Sequence, residues 1–374
     1  MRVLVAMSGG VDSSVAAALL SESGHEVVGA TLKLWGGASD SGCCSVADVD
    51  DARRVAEQLG VQHHVFNFTG AFETEVVNRY VDEHAAGRTP NPCIECNRQV
   101  KFGLLLERAL RLGFDALATG HHARRVDGIR GPALRRGTDR AKDQSYVLAM
   151  LSRAQLEHVL FPVGELTKDE VRAHARRRGL RTAAKPDSQD VCFVHSSTGR
   201  SQFLGDRVPL HRADLVEASS GRVVGSVPAA ELVTPGQRRG LGIGFDGRRR
   251  YALAVDLPSR RILVGSSEEA TAVRVELEDV RWIDAPLAPG DRALAQTNAH
   301  GAPAPCRWAG GALEFDRPQR LVAPGQTVAF YACDDPDAVV GSAVAASTPF
   351  TRAVPVSTHS APARSGRTPS THAG

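Results

Sequence analysis

Met7-Ser8-Gly9-Gly10-Val11-Asp12-Ser13-Ser14 is the stretch around which the chain can be read. Before it, Val3-Leu4-Val5-Ala6 is continuously apolar and Val-rich, the pattern of a short buried strand. After it, Val15-Ala16-Ala17-Ala18-Leu19-Leu20 is a run of good helix formers closed by Gly24. Strand, Gly-rich turn and helix N-terminus in that order make an anion site. Glycines let backbone N–H groups approach an oxyanion, and the helix dipole favours negative charge there. Ser8, Ser13 and Ser14 add hydroxyl donors, and Asp12 can hold a magnesium ion against the same phosphates. The plainer alternative is a Ser/Gly turn that only caps a helix.

The stretch is not a Walker A loop, which ends in Gly-Lys-Ser/Thr, nor a Gly-x-Gly-x-x-Gly dinucleotide fingerprint. It resembles the Ser-Gly-Gly-x-Asp-Ser pyrophosphate loop of enzymes that split ATP into AMP and pyrophosphate to adenylate an oxygen.

Outward from the loop, the first half alternates strand and helix. Strands are expected at Glu26–Leu32, His64–Phe68 and Ala116–Gly120, with helices over Ala47–Leu59, Phe72–Ala86 and Gln99–Leu112. Such alternation argues for a parallel sheet covered on both faces, with ligands at the carboxyl ends of the strands. Thr167-Lys168-Asp169-Glu170 matches a capping box and opens a helix over Val171–Arg178. From about Val208 helical runs give way to short Val/Leu/Ile-rich segments between Gly, Pro and Asp turns. Two small β-rich units are expected, the last barrel-like. The expected division is 1–204, 205–268 and 269–345, with 346–374, poor in large apolar residues, as a disordered tail.

With 374 residues and 42% hydrophobic content, the chain can bury a large core. A net charge of +3 does not announce a nucleic-acid binder. Positive charge is local, in Arg176-Arg177-Arg178, Arg238-Arg239, Arg248-Arg249-Arg250 and Arg260-Arg261, and each cluster taken alone reads better as solvated surface. No signal-like or membrane-length apolar run is present, so a cytoplasmic protein is expected, with no membrane partner.

Seven cysteines in so large a chain are not a disulfide framework. Cys93 and Cys96 form a Cys-x-x-Cys in a Pro-braced loop just ahead of a helix, where the dipole favours the thiolate. Cys192 stands in the polar segment Asp187-Ser188-Gln189-Asp190-Val191-Cys192-Phe193. Three readings are open. Cys43 and Cys44 could complete a zinc site with Cys93 and Cys96, although adjacent cysteines chelate poorly. Cys306 and Cys333 read as incidental. A redox or sulfur-carrying pair over the nucleotide loop suggests that sulfur displaces an activated oxygen.

Here the resemblance is specific. Ser8–Ser14, Gly87-Arg88-Thr89-Pro90-Asn91-Pro92-Cys93-x-x-Cys96-Asn97, Ala118-Thr119-Gly120-His121 and Lys142-Asp143-Gln144-Ser145-Tyr146 are similar to the tRNA-specific 2-thiouridylase family. So are Phe161-Pro162-Val163-Gly164-Glu165-Leu166, Asp187–Phe193 and the segment from Gly236 to Gly244. The likeness runs from Met1 to about Ala345. It implies an α/β domain of the PP-loop ATP-pyrophosphatase, adenine nucleotide α-hydrolase-like kind, followed by β-rich tRNA-binding domains.

It also implies ATP-dependent 2-thiolation of the wobble uridine of tRNA, with glutamate, glutamine and lysine isoacceptors as substrates. ATP, with magnesium, would bind at Ala6, Met7, Ser8, Gly9, Gly10, Val11, Asp12, Ser13, Leu32 and Gly120. Cys96 would be the nucleophile and Cys192 the persulfide carrier, with the persulfide attacking the base directly or Cys96 first freeing its sulfur, and the two pairing transiently as a disulfide once the sulfur has left. His121, Lys142, Asp143, Gln144 and Gln326 would contact tRNA, and a cysteine desulfurase or sulfur relay protein would supply sulfur; no resident metal is implied. Cys93 stands where some members carry an acid, and Asn298 where an Arg is expected. Two rivals remain. A ligase of the GMP- or argininosuccinate-synthetase type would share Ser8–Ser14 but has no use for Cys96 and Cys192. An RNA-binding protein with a zinc-stabilised loop would release no pyrophosphate.

Overall fold

The computed structural model describes residues 1–35, 45–187, 191–194, 199–242, 247 and 249–346. Cys43, Cys44, Ser188–Asp190, Ile243, Gly244 and nearly all of the expected tail lie outside the described residues.

Strands β1 (Arg2–Ala6), β2 (Glu26–Lys33), β3 (Gln62–Asn67) and β4 (Ala116–Thr119) open the chain. A hairpin, β5 (Ala123–Gly128) with β6 (Gly131–Arg136), precedes the short β7 (Val159–Leu160). The first sheet has five strands in the order β3-β2-β1-β4-β7, and every pairing is parallel. The chain therefore builds outward from β1 on one side and then returns to β4 on the other. That reversal opens a crevice between the carboxyl ends of β1 and β4, where the Gly-rich loop lies.

Successive side chains of β1 point to opposite faces, and both faces are covered, so Val3, Leu4 and Val5 are all buried. Val3 and Val5 join Ala118 against helices α1 (Val11–Glu22), α2 (Val46–Leu59) and Lys168–Arg177, through Val15, Ala16, Val55 and Val171. Leu4 and Leu117 face the other way, into a cluster with Phe72, Tyr80, Val100, Phe102 and Leu105. Each fully buried Val, Leu or Phe contributes roughly 1.5–3 kcal/mol, so the two faces hold the sheet.

The expected helix at Gln99 begins earlier, at Pro92. Asn91 caps it by accepting from the Cys93 N–H at 3.0 Å, and Pro92 fits the first helical position. Wide π-type turns run over Cys96–Leu105 before regular α-helix resumes over Leu106–Arg111. The capping box forms as read, Thr167 and Glu170 bonding reciprocally.

Two β-rich units follow. Strands β8 (Ala213–Glu217), β9 (Val223–Val227), β10 (Tyr251–Asp256) and β11 (Arg261–Gly265) form a four-stranded sheet in the order β10-β11-β8-β9. Strands β12 (Thr271–Trp282), β13 (Arg292–Gln296), β14 (Ala304–Trp308), β15 (Ala312–Arg320), β16 (Thr327–Tyr331) and β17 (Val339–Ala345) close into a barrel. Closure leaves no sheet edge exposed. Trp282, Trp308 and Phe330 fill its interior, the two indoles meeting edge-on at 5.4 Å.

The hairpin β5–β6 and strand β7 do not show in the sequence pattern. The hairpin carries Arg124, Arg125, Arg135 and Arg136 rather than an apolar alternation; Arg124, Arg135 and Arg136 serve the barrel, while Arg125 donates to the Leu156 carbonyl at 3.1 Å. Arg124 donates to Asp337 at 2.7 Å, Arg135 pairs with Asp335, and Arg136 donates to Gln296 at 2.8 Å while stacking over Tyr331. Tyr331 also bonds Ser145, and Tyr146 donates to the Thr327 carbonyl at 2.8 Å.

Burial, then the nearby charge of Arg200, pushes the His84 imidazole down to about 4. Burial likewise lowers His63, and His121 falls well below its ordinary value. The unfolded chain takes up these protons near pH 6.5 and the folded chain only at lower pH. Stability is therefore whole at neutral pH and is lost as pH falls through 6.5 toward about 4. For His84 alone the loss is on the order of 3 kcal/mol. Urea unfolding of wild type and His84→Gln between pH 7.5 and 4.5 checks this: the variant should show a shallower decline, and an identical slope would refute the assignment.

Candidate active site

The Gly-rich loop leaves β1 and turns into α1 with Gly10 as N-cap, and no side chain caps the helix. Its first N–H groups thus remain for a ligand. Gly9 holds φ +71°, and a Cβ there would strike the Asp48 carbonyl of α2. Gly120, at the end of β4, lies so close to α1 that a Cβ would sit 2.5 Å from Ser13 N. Ser13 Oγ accepts from the Ser8 N–H at 3.2 Å, and Ser14 Oγ donates to the Gly10 carbonyl at 2.8 Å. Met7 and Val11 bury their side chains, so only their backbone can face a ligand. Leu32 is buried near the end of β2.

Asp12 does not face solvent alone. Both its oxygens accept from Lys168 Nζ at 2.8 Å, and His122 Nε2 lies 3.1 Å from Oδ1. Burial would raise this carboxyl, but the His122 and Lys168 contacts outweigh it and hold it below its ordinary value. The same Lys168 ammonium lies 2.8 Å from Asp187 Oδ1. Asp187 also receives Lys142 at 2.8 Å and Arg172 at 2.9 Å. Burial works against that carboxylate too, yet Lys142 and Lys168 pull it down to about 2. Lys168 is itself only 8% exposed. A third ammonium, Lys185 Nζ, bonds the Gly9 carbonyl at 3.0 Å together with Asp48 and Asp51.

Lys168, Lys185, His122 and Asp187 were not read from the sequence as site residues. One signal was present for Lys168: a basic residue in the first helical turn opposes the dipole and asks for a reason. A resident magnesium cage does not fit here. Asp12, the loop's carboxylate, is held at both oxygens by Lys168, and no group of three His, Cys, Asp or Glu able to hold a metal occurs among the described residues.

The other sequence candidates separate into two places. His121 is wedged between Phe102 and Phe161, its Nδ1 2.7 Å from Thr119 Oγ1. Gln144 accepts from the His122 N–H at 2.9 Å, and Lys142 is the partner of Asp187. Asp143 faces inward, accepting from the Gly137 and Ser145 N–H groups at 3.0 Å. Gln326 lies elsewhere. With Asn298, Thr327, Tyr80, His84, Pro92, Val191 and Val194 it lines a cleft of about 620 Å³ where the α/β unit meets the barrel.

Cys96 is 6% exposed and belongs to the apolar cluster on the Leu4 face, and Cys192 packs half-buried against that same cluster. Phe193 anchors the Cys192 segment, its ring 5.1 Å from Phe203, 5.4 Å from Tyr80 and 5.8 Å from Phe72. The turn ahead of Cys93 is tied down as well. Thr89 N donates to the Pro324 carbonyl at 2.7 Å, and Arg88 pairs with Glu83 and with Glu278 of β12.

These features define a class: a nucleotide-type α/β domain with an anion loop at its switch point, two cysteines on one cluster, and a β-barrel docked beside them. Residues 1–196 match the family model described as tRNA methyl transferase HUP domain, and residues 274–345 match the aminomethyltransferase beta-barrel domain. A protein of Acidothermus cellulolyticus, named tRNA-specific 2-thiouridylase MnmA, is 46% identical over 93% of this chain and 98% of its own. Proteins of the same name from Mycolicibacterium vanbaalenii and Streptomyces coelicolor are 46% and 45% identical, over 92% and 93% of this chain and 98% and 95% of theirs. The chain belongs to the tRNA-specific 2-thiouridylase family. A U34-tRNA thiolase structure from Methanococcus maripaludis aligns at 18% identity and a TM-score of 0.35, over 55% of this chain and 64% of its own, too distant to carry an inference.

The contact between Gly120 and α1 tolerates no side chain. Gly120→Ala should lower stability by about 1–3 kcal/mol with secondary structure kept, whereas Gly70→Ala, which has open space, should change it far less. Denaturant titration of both variants decides this, and equal losses would contradict the close-approach argument.

Proposed function

We propose that this chain is an ATP-dependent tRNA-uridine 2-sulfurtransferase acting on the wobble uridine. The observation that carries the reading is the loop–cysteine arrangement: an uncapped helix N-terminus beside buried Lys168, with Cys96 and Cys192 on one apolar cluster. In this reading ATP lies along Ala6–Ser13, Leu32 and Gly120. An entering triphosphate competes with Asp12 and Asp187 for the Lys168 ammonium, which supplies positive charge where pyrophosphate leaves. The uridine O2 attacks the α-phosphorus, pyrophosphate departs, and C2 becomes electrophilic. Sulfur from a Cys192 persulfide then adds at C2 and AMP leaves. Cys96 attacks Cys192 Sγ to free that sulfur, which forms the Cys96–Cys192 disulfide.

A base stacked in an anticodon loop must be splayed out before it can react. The 620 Å³ cleft, with Gln326 and Asn298 on its barrel side, is the space we assign to that part of the RNA. His121, Lys142, Asp143 and Gln144 belong to the same reading as RNA-side residues, Asp143 through the turn it braces. Magnesium arrives on the nucleotide's phosphates rather than in a protein cage. The sulfur donor is a desulfurase or relay protein, and a reducing cytoplasm suits two working thiols. The chain then divides into a catalytic unit over 1–204, a central unit over 205–268 and a barrel over 269–345.

The test is thiolation of unmodified glutamate tRNA, with lysine and glutamine tRNAs alongside, using ATP, magnesium and a persulfide donor and read on a mercury-containing gel. A retarded band that requires ATP and is lost in Cys96→Ser and in Cys192→Ser, with ATP affinity kept, is expected. ATP binding that collapses in either variant would make the cysteines structural instead. No band, with pyrophosphate released only to a small-molecule acceptor, would point to the ligase class.

Lys168→Ala leaves the Asp12 and Asp187 carboxylates without their shared cation. Calorimetry should show ATP binding weakened at least tenfold, about 1.4 kcal/mol, with Lys168→Arg in between. Unchanged affinity in the alanine variant would remove Lys168 from the site.

A further inference from the structure

We propose that Cys93 is a resolving cysteine: it reduces the Cys96–Cys192 disulfide by thiol exchange and presents the resulting Cys93–Cys96 disulfide to an external protein dithiol. This rests on the two-cysteine reading above and adds the step that returns the enzyme to its starting state.

The two residues share one helical turn. Pro92–Glu95 is α-helical and Cys96 continues the same helix, so Cys93 and Cys96 stand at i and i+3 on one face. That spacing brings Cα atoms within the range a disulfide spans. Their surroundings differ in the way a relay needs. Cys93 is exposed, at the second helical position, where the dipole acts most strongly on a thiolate. Cys96 is buried in the apolar cluster, which keeps a bulky reductant away from it. Cys192 is half-buried against the same cluster.

The exchange balances. The Cys93 thiolate attacks Cys96 Sγ, the Cys93–Cys96 bond forms, and the Cys96–Cys192 bond breaks. Cys192 leaves as a thiolate and takes the proton released from Cys93, ready for the next sulfur. A protein dithiol then reduces the exposed disulfide in two exchanges, itself ending oxidised.

The experiment uses the full chain with tRNA, ATP, magnesium and a cysteine desulfurase with cysteine as sulfur source. Thioredoxin with its reductase and NADPH serves as reductant in one arm, dithiothreitol in the other. Wild type should turn over repeatedly in both. Cys93→Ser should stall near one equivalent with thioredoxin, at least tenfold slower thereafter, and recover with dithiothreitol, which is small enough to reach the buried bond. Without reductant, tryptic peptide 89–98, which holds both cysteines, should lose two hydrogens in wild type and instead be joined to the Cys192 peptide in Cys93→Ser. Equal turnover of Cys93→Ser and wild type with thioredoxin would overturn the proposal. So would a wild-type map showing only the 96–192 link, or stoichiometric iron or zinc bound through Cys93. If Cys96→Ser also turns over, the two-cysteine reading fails, a result distinct from failure of the relay alone.

Discussion

One buried ammonium ties the site together. Lys168 Nζ is shared by Asp12 at the start of α1 and Asp187 at the head of the Cys192 segment, at 2.8 Å from each. Removing charge from water is costly, and it is tolerated here because two carboxylates and their other donors surround the cation. The consequence is mechanical: the start of α1, the helix Lys168–Arg177 and Asp187 are held to one cation. On the function proposed above, a phosphate entering the loop would draw on the same cation that holds Asp187.

The second constraint is steric. The end of β4 lies against α1 with no room for a Cβ at Gly120, and the loop passes α2 with none at Gly9. These approaches set the width of the crevice between β1 and β4, while Lys185 steadies the Gly9 carbonyl from the other side. Backbone geometry fixes the loop and side-chain charge tunes it.

Polar contacts join the barrel to the α/β unit beside apolar ones, Ile283, Ala329, Tyr331 and Val339 sharing the cluster of Leu4. Arg124, Arg135, Arg136 and Arg140 reach Asp335, Asp337 and Gln296, and the buried Ser145–Tyr331–Gln296 chain continues inward. Such a joint fixes orientation, because each bond needs its partner at a set angle and each unmade one leaves a buried polar group unsatisfied. It places Gln326 and Asn298 over the cysteine turn, which is itself tied to Pro324.

Much of the fold was legible in the sequence because periodicity carries it. Val3-Leu4-Val5, the helix stops at Gly24 and Gly60, the Thr167–Glu170 box and the change of texture near Val208 all report local preferences. Local preference decided element type and order, and the motif residues at Ser8–Ser14, Cys93, Cys96 and Cys192 marked the candidate site. The hairpin β5–β6 was hidden because its arginines are patterned for partners far along the chain, Asp337 for Arg124 and Asp335 for Arg135, not for a local face. The Lys168 cation was hidden for the same reason. A charge pair's partners are set by which elements meet in space, and only the tertiary structure brings Asp12, Lys168 and Asp187 together.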